Sequence, residues 1–203
     1  MKTEIRPQET NRAEAFSFWM SSPMPMVTLM KTFDVSRIVK VSRKTGIKFT
    51  TLMCWCIGKA ASSIPEFYLL PEDGRLFRYD RLAINIIVQN VKGGISLCDV
   101  PFSDDIRQFN ADYHELGSQA AETCKSTALE DYMIVGTSAL PQTELDCIVN
   151  QYSGRYNNPF LVWGKYRKGL FKTTLPVSFQ FHHVQMDGSH AVRFLQCLQD
   201  VSY

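Results

Sequence analysis

The chain of 203 residues has little net charge, since 22 Lys+Arg against 20 Asp+Glu leave only +2. A nucleic-acid binder that works by neutralising many phosphates needs a larger cationic excess, so that class is set aside. Long apolar runs are missing too. The longest, Thr50 to Ala61, is broken by Lys59 and is too short to span a bilayer, so no membrane partner is expected. The six cysteines (Cys54, Cys56, Cys98, Cys124, Cys147 and Cys197) form no CxxC pair, and the opening MKTEIRPQET is too polar for a secretion signal. Most of them are expected to be small buried hydrophobes in a reducing cytoplasm rather than zinc ligands or disulfide partners. Repeats, low-complexity tracts and Pro/Ser-rich linkers are absent, so residues 1–203 are expected to form a single domain.

What is present is an ordinary globular composition, 45% hydrophobic, 12% aromatic and 21% charged. A chain of this mass buries roughly 70% of its unfolded surface, enough for one sizeable core. Hydrophobic spacing predicts helices over Asn11–Trp19, from Asp34 or Ser36 to Lys44, over Phe49–Ser63 before Pro65, from Ser103 towards Cys124, and over Ser189–Leu198. Strands are expected at Met26–Phe33, Phe67–Leu70, Arg75–Tyr79, Ala83–Val91, Ile95–Cys98, Tyr132–Thr137, Phe160–Tyr166 and Leu170–Phe181, with a hairpin at Pro71-Glu72-Asp73-Gly74. Eight strands in hairpins between five helices indicate an α/β (α+β) fold whose mixed β-sheet is covered by helices on one face.

Three of the four histidines fall in Gln180-Phe181-His182-His183-Val184-Gln185-Met186-Asp187-Gly188-Ser189-His190. Period-2 alternation places His183 with Val177, Phe179 and Phe181, and His182 on the opposite face with Ser178 and Gln180. Adjacent histidines pointing apart do not converge on one metal, and no metal site is expected. His183 has two readings. It is a hydrogen-bonded core histidine, or, at a strand end before a turn, a general base that takes a proton from a hydroxyl, worth about 10² to 10⁴ in rate. Ser138, in Gly136-Thr137-Ser138-Ala139-Leu140-Pro141, lacks the G-x-S-x-G elbow of a nucleophile. Its hydroxyl either satisfies local backbone or donates to a developing oxyanion.

The stretch His182-His183-Val184-Gln185-Met186-Asp187-Gly188 resembles the HHxxxDG signature shared by chloramphenicol acetyltransferases and the acyltransferase cores of 2-oxo acid dehydrogenase complexes. The chain carries neither a lipoyl domain nor a Pro/Ala-rich linker, and so looks like the shorter, antibiotic-resistance type over essentially its whole length. Further matches in order are Arg12-Ala13-Glu14-Ala15-Phe16, Asp34, Lys48-Phe49, Pro65-Glu66-Phe67, Asp73-Gly74, Asp105-Ile106 to Phe109, Ser138-Ala139 and Lys165-Tyr166.

The resemblance implies a two-layer sandwich that transfers acetyl from acetyl-CoA to a hydroxyl by direct attack, with no acyl-enzyme. His183 would be the general base, Ser138 the oxyanion donor, and Asp187 a structural carboxylate paired with Arg12. Lys48 and Lys165 would meet the phosphates of coenzyme A and Tyr166 its adenine. Phe18, Trp19, Val27, Ile95 and Val162 would line the acceptor pocket. A homotrimer with active sites between subunits is implied, with chloramphenicol as leading acceptor. The alternatives are the same chemistry on another hydroxyl-bearing small molecule, or a non-catalytic binding protein of the same fold. Departures concentrate on the acceptor side. Val27, Ile86, Ile95, Gln142 and Val162 stand where an aromatic, a threonine, an aromatic, a tryptophan and a threonine are usual, and residues 142–158 are more polar than the family pattern, with Ser153-Gly154-Arg155 and Asn157-Asn158.

Overall fold

A computed structural model describes residues 1–152 and 154–201, leaving Ser153 and the last two residues outside the account. Ten strands are described: β1 (Lys2–Ile5), β2 (Met26–Asp34), β3 (Leu69–Glu72), β4 (Arg75–Tyr79), β5 (Leu82–Gln89), β6 (Ile95–Pro101), β7 (Met133–Leu140), β8 (Phe160–Gly164), β9 (Arg167–Lys168) and β10 (Thr173–His182). Five α-helices accompany them: α1 (Ala13–Trp19), α2 (Ser36–Thr45), α3 (Phe49–Ser62), α4 (Ile106–Thr123) and α5 (Gly188–Asp200). The main sheet runs β2-β10-β8-β7-β5-β6, with β9 paired to the start of β10. It is mixed, because β7 is parallel to both β5 and β8 while the other pairs are antiparallel. A smaller antiparallel sheet has the order β1-β4-β3.

Helix α3 is apolar around most of its circumference, with Thr51 to Gly58, Ala60 and Ala61 all buried, which suits a helix between a sheet and other helices. Gly58 permits that position, since a Cβ there would lie 2.3 Å from the Phe102 ring. Phe179 of β10 meets Phe194 of α5, Phe67 and its strand neighbour Phe181, and Phe67 also meets Phe194, with ring centroids 4.7 to 6.1 Å apart. Burial of such aromatics is worth roughly 1.5–3 kcal/mol each, so this cluster fixes α5 against β10. Helix α4 starts at Asp105, whose carboxylate accepts from the Arg107 amide at 2.8 Å; Ser103, expected as the start, instead accepts from the Asp105 amide.

Several expectations need correcting. Phe67 is in a 3₁₀ turn, Pro65–Tyr68, because Pro65 presets the backbone, and β3 runs on through Pro71 and Glu72. The hairpin turn is therefore Asp73-Gly74, both at positive φ (48° and 76°), the two-residue turn that matches strand twist. Leu170 and Phe171 lie in the β9–β10 turn, 97% and 95% exposed, so the last strand begins at Thr173. On the face of the sheet away from the helices, Ser178 and Gln180 are buried, and residues 145–150 cross over them, with Gln180 Nε2 donating to the Asn150 carbonyl at 3.0 Å.

Candidate active site

The site is built on the turn between β10 and α5. His182 is the last strand residue, and its buried ring accepts the Val184 amide at Nδ1 (3.1 Å). Burial first, and the neighbouring His183 second, push its pKa down to about 4, so it is a neutral structural imidazole at ordinary pH. The His183 amide donates to the Pro25 carbonyl at 2.8 Å, in register with the β10–β2 ladder, and the His183 ring lies flat on Trp19, with centroids 4.5 Å apart and planes 4° from parallel. Nδ1 of His183 is buried without a hydrogen-bond partner among the described residues.

Arg12, just before α1, crosses the fold to hold this turn. Its Nε donates to the Val184 carbonyl (3.0 Å), one terminal nitrogen to the His183 carbonyl (2.9 Å) and the other to Asp187 Oδ2 (3.0 Å). The guanidinium is buried, so each of these bonds replaces water it has lost. Asp187 also caps α5, accepting from the Ser189 amide and hydroxyl and from the His190 amide. Partial burial pulls its pKa upward, but the hydrogen bonds from Ser189 and Arg12 and the charge of His190 outweigh that and hold the carboxyl well below the usual carboxylate range.

Ser138, on β7, borders a different feature. A cleft of about 680 Å³ is lined by Lys48, Thr51, Ile95, Ser138, Gln142 and the α4 face carrying Tyr113 and His114. The Thr51 Oγ1 on its wall is buried and unpartnered among the described residues. Lys48 is among the lining residues, and Phe49 beside it packs on Tyr166 at 4.9 Å, which brings Lys48, Lys165 and Tyr166 into one neighbourhood in the chain fold.

The residues expected on the acceptor side divide between the two features. Trp19 touches His183, while Phe18 is 67% exposed and Val27, opposite Phe181, packs against the main core. Ile95 lines the cleft, and Val162 sits between Ser138 and Ser178 in one row across the strands, buried under residues 145–148. Ile86, by contrast, is buried in the core, facing Gly117 of α4. Within one chain the two halves do not meet. Ser178 lies two strands across from Ser138 and His182 is four residues further along β10, which puts roughly 16 Å between Ser138 and the His183 turn.

Sequence reading left two polar groups without a role: Glu66, present only as part of a matching tripeptide, and His190, whose one signal was its place three residues after the capping Asp187. Among the described residues no cluster of His, Cys, Asp or Glu is arranged to hold a metal, and no helix is long and apolar enough to cross a membrane.

The family model for chloramphenicol acetyltransferase matches residues 2–199. The chain belongs to the chloramphenicol acetyltransferase family. It is 27% identical to chloramphenicol acetyltransferase 2 of Escherichia coli over 207 residues, covering 97% of this chain and 95% of the relative. It is also 27% identical to chloramphenicol acetyltransferase of Clostridium perfringens over 206 residues, covering 98% and 97%. A solved chloramphenicol acetyltransferase superposes with a TM-score of 0.85 at 21% identity, over 98% of this chain and 99% of that one, showing a shared fold. The fold extends more loosely to the dihydrolipoamide acetyltransferase of Azotobacter vinelandii, with a TM-score of 0.65 at 19% identity over 95% of this chain and 87% of that one.

Proposed function

We propose that the protein is a cytoplasmic acetyl-CoA-dependent O-acetyltransferase, one domain per chain, that acts as a homotrimer on a small hydroxyl compound, with chloramphenicol the first acceptor to test. The single observation that carries the reading is the His183 imidazole, stacked on Trp19 at 4.5 Å and fixed by Arg12 through its own carbonyl. Its Nδ1 is turned inward, which leaves Nε2 to meet a substrate. Nε2 takes the proton of the acceptor hydroxyl as the oxygen attacks the thioester carbonyl. Ser138 donates to the oxyanion that forms, and when the carbon–sulfur bond breaks the imidazolium returns the proton to the coenzyme A thiolate. The roughly 16 Å between the two halves supports pairing His183 of one subunit with Ser138 of the next. Lys48, Lys165 and Tyr166 at the cleft would hold the donor.

The acceptor side favours weaker chloramphenicol binding than in relatives with threonine at this position. With Ile86 turned into the core, Val162 alone remains of the two apolar replacements, and one missing hydrogen bond lowers apparent affinity about two- to tenfold. This apolar wall is also what favours, as a second reading, another alcohol as acceptor. A thiol-release assay with acetyl-CoA, chloramphenicol and a panel of alcohols tests both. Release that requires an acceptor supports acetyl transfer, and no release with any of them makes the chain a binding protein.

A further inference from the structure

Glu66 has no part in the site described so far, yet its carboxylate is nearly buried. Its Oε1 lies 3.2 Å from His190 Nε2, and Oε2 is buried without a hydrogen-bond partner among the described residues. A carboxylate stripped of water is costly to keep unless it holds something in place. What it meets is the third residue of α5. His190 Nδ1 stands 2.9 Å from Asp187 Oδ1 and 3.3 Å from the Asp187 amide nitrogen. A neutral ring accepts that amide at Nδ1 and donates to Glu66 from Nε2; a protonated ring donates to both carboxylates. In either state it bridges Glu66 to Asp187, and Asp187 Oδ2 passes the link to Arg12 and so to the carbonyls of His183 and Val184.

A second contact joins the same two segments. Gln185 Nε2 donates to the Leu69 carbonyl at 2.7 Å, and Leu69 directly follows the 3₁₀ turn that carries Glu66. The stretch from Glu66 to Leu69 therefore touches the His183 turn at residue 185 and the helix behind it at residue 190. We infer that Glu66 and His190 are positioning residues for acetyl transfer, bracing the turn 183–187 from behind and so setting the pose of the His183 ring on Trp19 without touching substrate.

This role rests on the reading of His183 as the base, but its geometric part is measurable without substrate. An imidazole lying flat on an indole has its Hε1 resonance shifted upfield, and the resonance of His183 is assigned by its loss in His183→Ala. In full-length Glu66→Ala and His190→Ala the upfield shift is expected to collapse, with the double variant no worse than either single one, and Glu66→Gln, which keeps the acceptor oxygen, should recover most of it. Where the alanine variant does not fold, His190→Asn, which can still take the Asp187 amide but does not reach Glu66, serves with the same expectation. In turnover, kcat should fall about tenfold with KM for both substrates within about twofold, since a base displaced by a fraction of an ångström loses rate and not binding. An unchanged His183 resonance in folded variants, or additive effects of the two alanines, overturns the proposal. Loss of the upfield shift in a protein that transfers no acetyl group would sustain the brace while refuting the proposed function.

Discussion

The two ends of β10 and its neighbours are built to opposite specifications. At the His183 end, Arg12 makes three hydrogen bonds, Asp187 caps a helix while pairing with it, Gln185 reaches β3 and Trp19 lies flat on the imidazole, so the turn is fixed from four directions. At the Ser138 end, an open cleft carries the exposed Ile95, and Ser178 in the same row across the strands keeps a buried hydroxyl without a partner among the described residues. Proton transfer tolerates little misplacement, so the group proposed to do it would need to be held before any ligand arrives, as His183 is. A site for a long flexible donor can be completed by the ligand and by a neighbouring subunit.

The largest expected effects break this comparison at its functional atoms. His183→Ala should lower acetyl transfer by about 10² to 10⁴ while circular dichroism and coenzyme A binding stay close to those of the unaltered protein. Ser138→Ala should lower it by about 10² to 10³ with little change in donor affinity. A dead but folded His182 variant beside an active His183 variant would reverse the assignment.

Next come the tethers of the fixed end. Arg12→Ala, which strands the Asp187 carboxylate and two carbonyls, should destabilise by about 3 kcal/mol in urea unfolding. Asp187→Asn should cost less, about 1–2 kcal/mol, because asparagine still caps α5 and the aspartate is 39% exposed. The double variant should fall well short of the sum; additivity would mean that the pair does not interact.

His182 gives the same end a pH signature. Between about pH 6.5 and 4 the unfolded chain binds a proton at this residue that the folded chain refuses, so stability should fall as pH drops through that window and level off below it. The contribution is about 3 kcal/mol at most, and His182→Asn, which still accepts the Val184 amide, should flatten the slope. A slope unchanged in that variant would place the titration elsewhere. The smallest effect belongs to the open end: Val162→Thr should lower KM for chloramphenicol about two- to threefold, unless Ser178 opposite captures the new hydroxyl, in which case thermal stability rises and KM does not move.

Much of the fixed end was legible in the sequence, because His183, Asp187 and Arg12 stand in an ordered set of residues whose spacing survives in the structure. The pairing of β10 with β2 ends one residue before His183, because Pro25 opposite accepts the His183 amide but has no N–H to return a bond. The strand β1 reads as polar Lys-Thr-Glu-Ile and shows no alternation because it is the edge of a small sheet. Which face of β5 meets α4 depends on long-range register, so the burial of Ile86 leaves no local pattern. The separation of Ser138 from His183 depends on pairing across three strands, and the Glu66–His190 contact joins segments far apart in the chain. Neither leaves a local pattern to read.

Subunit complementation tests the pairing of His183 with Ser138 most directly. His183→Ala and Ser138→Ala proteins, each nearly inactive, are unfolded together in equal amounts, refolded and assayed for acetyl transfer. If each site takes its histidine from one chain and its serine from the next, random reassembly gives about one quarter of sites both intact groups, and activity should return to about a quarter of the unaltered level. Activity no higher than that of either parent, from mixed oligomers shown to have formed, would place both groups in the same chain and contradict the account.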